Sequence, residues 1–139
     1  MSELIIIDGD ALTFEPLFGE RTVTVTGVAI IAGSGMADIE HKAICIVGDE
    51  KGVTVNATYT AGPYQVPGQG IITIAQLAAD QQALFCTAAT PVIVKGTQFI
   101  ASFRPVSQAS SPNGPDSNLA PTPGKGQFIP QQNFVKAIS

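Results

Sequence analysis

His41 and Cys45, inside GSGMADIEHKAICIVGDEKGVTV (33–55), are the residue types here best suited to chemistry: the chain's only histidine and one of its two cysteines. On a regular strand they share a face but stand roughly 13 Å apart, at about 3.3 Å per residue. Zinc bonds to nitrogen and sulfur, about 2.0 to 2.3 Å long, do not span that gap. The pair could share a metal only if the strand breaks at Glu40-His41-Lys42. With Cys86 the inventory is still short of the four ligands of a structural zinc site, so Asp49 or a second chain would have to complete it. His41, Cys45 and Cys86 are therefore metal candidates by type only. The expectation is no cofactor, His41 in an exposed turn and two small buried cysteine side chains.

Catalytic constellations fail on inventory. Any Ser-His-Asp or Cys-His arrangement must use His41, and Gly33-Ser34-Gly35 is a turn-like fragment, not a nucleophile elbow. Asp38 and Glu40 alternate onto one strand face and could form an acid/base pair, but they also fit a solvated strand edge. Asp8 and Asp10 lack the further acidic ligands of a calcium loop. Gly68-Gln69-Gly70 lacks the helix start and lysine of a phosphate loop. The chain does not read as an enzyme.

The elements that must position these residues are short runs rich in Val, Ile and Thr: 4–7, 21–31, 36–47, 53–60, 70–77, 91–96 and 98–106, punctuated by Gly, Asp and Pro. This predicts an all-β domain, a compact β-roll of short strands. Asp8-Gly9 predicts a hairpin between residues 4–7 and Asp10–Phe14. Turns are expected at 33–35, 48–49, 67–70 and 95–96. AQLAADQQALF (75–85) is the one helix candidate, with Leu77, Ala78 and Leu84 at helical spacing; a β-meander with a helical turn competes with it.

From Arg104 the composition shifts to Pro, Ser, Asn and Gly, which predicts a β domain at 1–104 and a linker or arm at 105–127. An apolar tail follows at 128–139, carrying Phe128, Ile129, Phe134, Val135 and Ile138. These five are the candidate partner-binding residues, docking on this domain or on another chain. Only 13% of residues are charged against 45% hydrophobic, so much of the surface is uncharged and suits a covering partner. A net charge of −4 with seven Lys and Arg and no basic run argues against nucleic acid. No apolar run reaches membrane-helix length, and the start has no basic n-region. The expectation is therefore a cytoplasmic chain without an integral membrane segment, open to signal-independent export.

A faint internal repeat links Gly33-Ser34-Gly35, a cysteine and Val47-Gly48-Asp49 to Gly68-Gln69-Gly70, a cysteine and Val94-Lys95-Gly96. Gly33-Ser34, Ile39, Lys42, Ala43 and Val47-Gly48-Asp49 resemble the PAAR-repeat proteins that sharpen the spikes of type VI secretion and related contractile injection machines. Ala43-Ile44-Cys45-Ile46 stands in place of the naming Pro-Ala-Ala-Arg, and one histidine stands where that family uses three for zinc, so no zinc site carries over. The resemblance implies a conical β protein that caps a trimeric spike, turns at Glu40-His41-Lys42 and carries an effector or cargo. The alternatives are a cytoplasmic protein-binding module, such as an adaptor or inhibitor, and a small enzyme using Asp38 and Glu40.

Overall fold

Val55, Ala57 and Tyr59 are buried while Thr54, Asn56 and Thr60 are exposed, so the β-branched run at 53–60 alternates as a half-buried strand should. The same alternation recurs along the chain in the computed structural model. It describes residues 2–35, 38–39, 41–62, 64–87, 91–112, 114–117, 119–132 and 136–138, with side chains omitted for 2–3, 83–87 and 136–138. The strands are β1 (Ser2–Leu4), β2 (Ala11–Phe14), β3 (Leu17–Phe18), β4 (Arg21–Val25), β5 (Asp38–Ile39), β6 (Lys42–Ala43), β7 (Val55–Ala61) and β8 (Tyr64–Gln76). They continue as β9 (Gln82–Thr87), β10 (Pro91–Ile93), β11 (Phe99–Ser107), β12 (Ser110–Ser111), β13 (Gly114–Pro115), β14 (Thr122–Ile129) and β15 (Lys136–Ile138).

A nine-stranded antiparallel sheet runs β2-β14-β11-β8-β7-β4-β3, with β12 paired to β8 and β13 to β12. It curls into a half-barrel. Three two-stranded ribbons, β1–β15, β5–β6 and β9–β10, complete the fold. The all-β class is as read from sequence. Among the described residues no helix is long and apolar enough to cross a membrane.

The concave face holds a run of aromatic rings: Phe128–Phe99 at 5.0 Å, Phe99–Phe14 at 5.8 Å, Phe14–Phe18 at 6.5 Å, Phe18–Phe103 at 6.2 Å and Phe103–Tyr59 at 5.2 Å between centroids. Tilted and edge-on pairs of this kind contribute about 0.5–1.5 kcal/mol each beyond area burial. Arg21, 2% exposed, stacks over Tyr59 and Phe103 and donates to the Ala120 carbonyl (2.7 Å) and Thr122 Oγ1 (3.1 Å). Glycines make room for the rings. A Cβ on Gly124 would lie 2.5 Å from Phe18 Cδ2, and one on Gly70 would meet the Phe103 ring.

Three expectations are corrected. Gly68-Gln69-Gly70 is not a turn but the middle of the 13-residue β8, where alternation sets both glycines under aromatic rings. Residues 75–85 do not form an α-helix: β8 ends at Gln76, a single 3-10 turn occupies Ala79–Gln81 and β9 follows. Leu77 is buried through the sheet and not through a helical stripe. Residues 105–127 are not a free linker, because β11 continues to Ser107 and β14 lies between β11 and β2. The small residues of Thr-Pro-Gly-Lys-Gly are what the crowded aromatic face requires there.

Candidate functional site

Three short segments, 4–8, 43–47 and 91–95, form a closed three-way layer. Their central residues, Ile6, Cys45 and Ile93, are all fully buried. Cys45 N–H donates to the Ile6 carbonyl (2.8 Å), Ile93 N–H to the Cys45 carbonyl (2.9 Å) and Ile6 N–H to the Ile93 carbonyl (3.0 Å). A second set repeats two residues out: Asp8 N–H to Ala43, Val47 N–H to Pro91 and Lys95 N–H to Leu4, each at 2.8 Å. Antiparallel bridges join Ile7 to Ile44, Ile46 to Val92 and Val94 to Ile5. The three corners are thus equivalent position for position, an internal threefold relation in one chain.

The equivalence extends outward. The residue two before each centre pairs with an outer strand: Leu4 with Lys136, Ala43 with Asp38 and Pro91 with Thr87. The residue three after each centre is a glycine at positive φ, Gly9 (86°), Gly48 (115°) and Gly96 (53°), a conformation that L side chains rarely adopt. Two corners also share a carboxylate clasp. Asp10 accepts from Ile7 N–H (2.8 Å) and Asp49 from Ile46 N–H (2.9 Å). The third corner differs, since Val94 N–H donates to the Gln81 carbonyl (3.0 Å).

Hydrophobic side chains cover the layer on both faces. Ile6, Cys45 and Ile93 join the large core under the half-barrel. Ile5, Ile7, Ile44, Val92 and Val94, with Ile39, form a second cluster on the other face, at the bases of the ribbons.

The glycine-serine and valine-glycine-aspartate motifs meet at one carboxylate. Asp49 accepts from Ser34 N–H (3.0 Å), Ser34 Oγ (2.6 Å) and Ile46 N–H. Asp8 accepts from Gly33 N–H (2.8 Å). The Asp8-Gly9 turn forms, but the segments it joins do not pair with each other: Ile7 bridges to Ile44, and β2 pairs with β14. Asp10 is fully buried and also accepts from Gln131 N–H (2.9 Å). Burial pushes its carboxyl above the ordinary value, against the opposing effect of the Ile7 and Gln131 N–H groups and the Lys42 charge.

His41 is exposed in the turn of the β5–β6 ribbon at φ 67°. Cys45 is fully buried in the layer, and burial, reinforced by Asp49, Asp10 and Asp8, pushes its thiol far above the ordinary value. Among the described residues no group of three His, Cys, Asp or Glu could hold a metal. Cys86 lies in β9 with its side chain outside the description. Asp38 is exposed, and Glu40 lies outside the described residues.

Of the candidate partner-binding residues, Phe128 belongs to the core at 1% exposed, and Ile129 is 47% exposed. Phe134 and Val135 lie outside the described residues, and Ile138 pairs through its backbone with Ser2. Gln132 Nε2 donates to the Ile5 carbonyl (2.9 Å), so residues 128–132 dock on their own domain. The sequence reading found the Val-Gly-Asp and Val-Lys-Gly corners but missed the third, Ile7-Asp8-Gly9; the glycine at matched distance behind each apolar run was the available signal.

A closed, apolar, backbone-paired layer surrounded by ribbons defines a structural β protein. The family model for contractile injection system spike tip proteins matches residues 1–138, and the chain belongs to that family. The PAAR-like resemblance is consistent with this membership. No curated protein matches the chain.

Proposed function

We propose that one copy of this protein caps the end of a trimeric spike, with the three-ribbon end leading. The observation that supports it most is the internal threefold layer, which lets a single chain continue the axis of three identical subunits without three copies of itself. A layer whose three segments each pair with both others has no free edge at its centre, so it resists shear along that axis. Family membership supplies association with a spike and outward delivery. Carriage of an effector would use a surface that the cap leaves open. The cross-strand row Ile30–Ala11–Ile129, with both isoleucines exposed about a half-buried Ala11, is the apolar choice.

Native mass spectrometry of the protein mixed with its cognate spike tests the capping reading. One tip chain per three spike chains is expected. A one-to-one complex, or no complex, overturns it and leaves the adaptor reading.

A further inference from the structure

We infer that the surface facing the spike is the rim of the half-barrel remote from the ribbons, formed by Leu17, Val66, Val106, Leu119 and the cavity above Arg21. The inference rests on the capping reading above and specifies its interface.

The direction follows from strand register. β11 leaves the layer just after Lys95 and Gly96 and runs nine residues away from it to Ser107. That is roughly 26 Å at about 3.3 Å per residue. Ser107 pairs with Gln69, Ala61 with Tyr64, Val66 with Ser110 and Leu17 with Thr22, which gathers those residues at the far rim. Arg21, paired with Ala61, binds Ala120 and Thr122 and brings residues 119–122 to the same rim.

That rim is apolar and nearly uncharged. Leu17, Val66, Val106 and Leu119 are between 52% and 65% exposed. Val106 faces outward by the alternation of β11, in which Phe103 and Pro105 are buried and Arg104 and Val106 exposed. Residues 105–121 carry one ionisable side chain, Asp116, and it is buried. Glu20 and Arg104 are exposed charges beside them. The ribbon end is the reverse: Asp38, His41, Lys42 and Lys95 are exposed, and none of the exposed large hydrophobics falls among its described residues.

The occupant is the blunt end of a β-structured trimer with uncharged terminal side chains. A charged partner would lose hydration against this rim and find little to pair with. A cavity of about 640 Å³ opens at the rim, lined by Gly19, Arg21, Gly62, Tyr64, Asp116 and Thr122 among others. One of the three identical spike subunits inserts a side chain into this cavity, which fixes the rotation of the tip.

Binding of Val66→Asp, Leu119→Asp and Ile100→Asp chains to immobilised cognate spike trimer, each with a melting curve, tests this. Both rim variants are expected to bind at least about tenfold more weakly with unchanged melting, and Ile100→Asp as the parent does. Amide exchange on the unmodified chain supplies a readout independent of folding: residues 110–115 should gain protection in the complex and the β5–β6 ribbon should not. Parent-like binding by both rim variants, or protection confined to the ribbons, overturns the inference while the capping reading stands. Failure of the parent chain to bind overturns both.

Discussion

Replacing Asp49 by alanine removes the acceptor on which the Gly33-Ser34 segment and the second corner of the layer converge. The carboxylate takes three hydrogen bonds, from Ser34 N–H at 3.0 Å, Ser34 Oγ at 2.6 Å and Ile46 N–H at 2.9 Å. Hydrogen bonds to charged groups contribute about 1.5–3 kcal/mol each when shielded from water. The two Ser34 bonds are solvent-exposed and are replaced by water at little cost. The Ile46 bond is partly buried, so its donor is left short of a partner. The net loss should be about 2 kcal/mol, set by the Ile46 donor with a small addition from Ser34. Urea denaturation at neutral pH measures it through the shift in midpoint at constant slope. Asp38→Ala, at an exposed ribbon position, is the control and should stay within about 0.5 kcal/mol of the parent. Equal effects at Asp49 and Asp38 would refute the reasoning, because the clasp would then carry no more than an ordinary surface carboxylate.

Gly70→Ala places a methyl group into the Phe103 ring and 2.5 Å from the Arg104 carbonyl, and should destabilise by about 1–3 kcal/mol in the same urea assay. Gly52→Ala, where nothing lies within 4 Å of the added carbon, should be near neutral by comparison. In a Cys86→Ser background, Cys45 should resist alkylation at pH 8 until the chain unfolds, because its thiol is buried and its ionisation suppressed; stoichiometric labelling of the native chain would contradict this. Asp10 has a folded-state pKa raised above its ordinary 3.8, so ionising it costs more in the folded chain than in the unfolded one. The stability of the parent minus that of Asp10→Asn should therefore fall as pH rises from about 4 through the raised value. A difference that is flat or rises over that range would remove burial as the dominant cause.

The parts of this fold legible in sequence are those carried by local chemistry. Alternating β-branched runs marked the strands, and Val47-Gly48-Asp49 marked a corner because one aspartate closes its own turn and reaches back to Ser34. The parts that were not legible depend on distant partners. Gly68-Gln69-Gly70 carries turn residues, yet it sits in the middle of a strand because Tyr59 and Phe103 need the space above it. Residues 122–127 lack large apolar side chains for a similar reason: Phe18 and Phe99 from other strands fill the volume that their own side chains would otherwise occupy. Leu77, Ala78 and Leu84 have helical spacing, yet the Gln81 side chain accepts from Ala78 N–H (3.0 Å) and donates to the Lys95 carbonyl (3.2 Å), which ties a 3-10 turn to the third layer segment. The internal threefold relation is half visible: Ile7-Asp8-Gly9, Ile46-Val47-Gly48 and Val94-Lys95-Gly96 share a β-branched residue two before a glycine, but Asp8-Gly9 reads equally well as a simple hairpin turn.

The central claim is that 4–8, 43–47 and 91–95 form one closed layer. Native-state amide hydrogen exchange at Ile6, Cys45 and Ile93, with Asp8, Val47 and Lys95 one step out, tests it most directly. A closed layer opens only as a unit, so all six amides should exchange with one common free energy close to that of global unfolding. Exchange of any one segment at a markedly lower free energy, with the other two still protected, would contradict it.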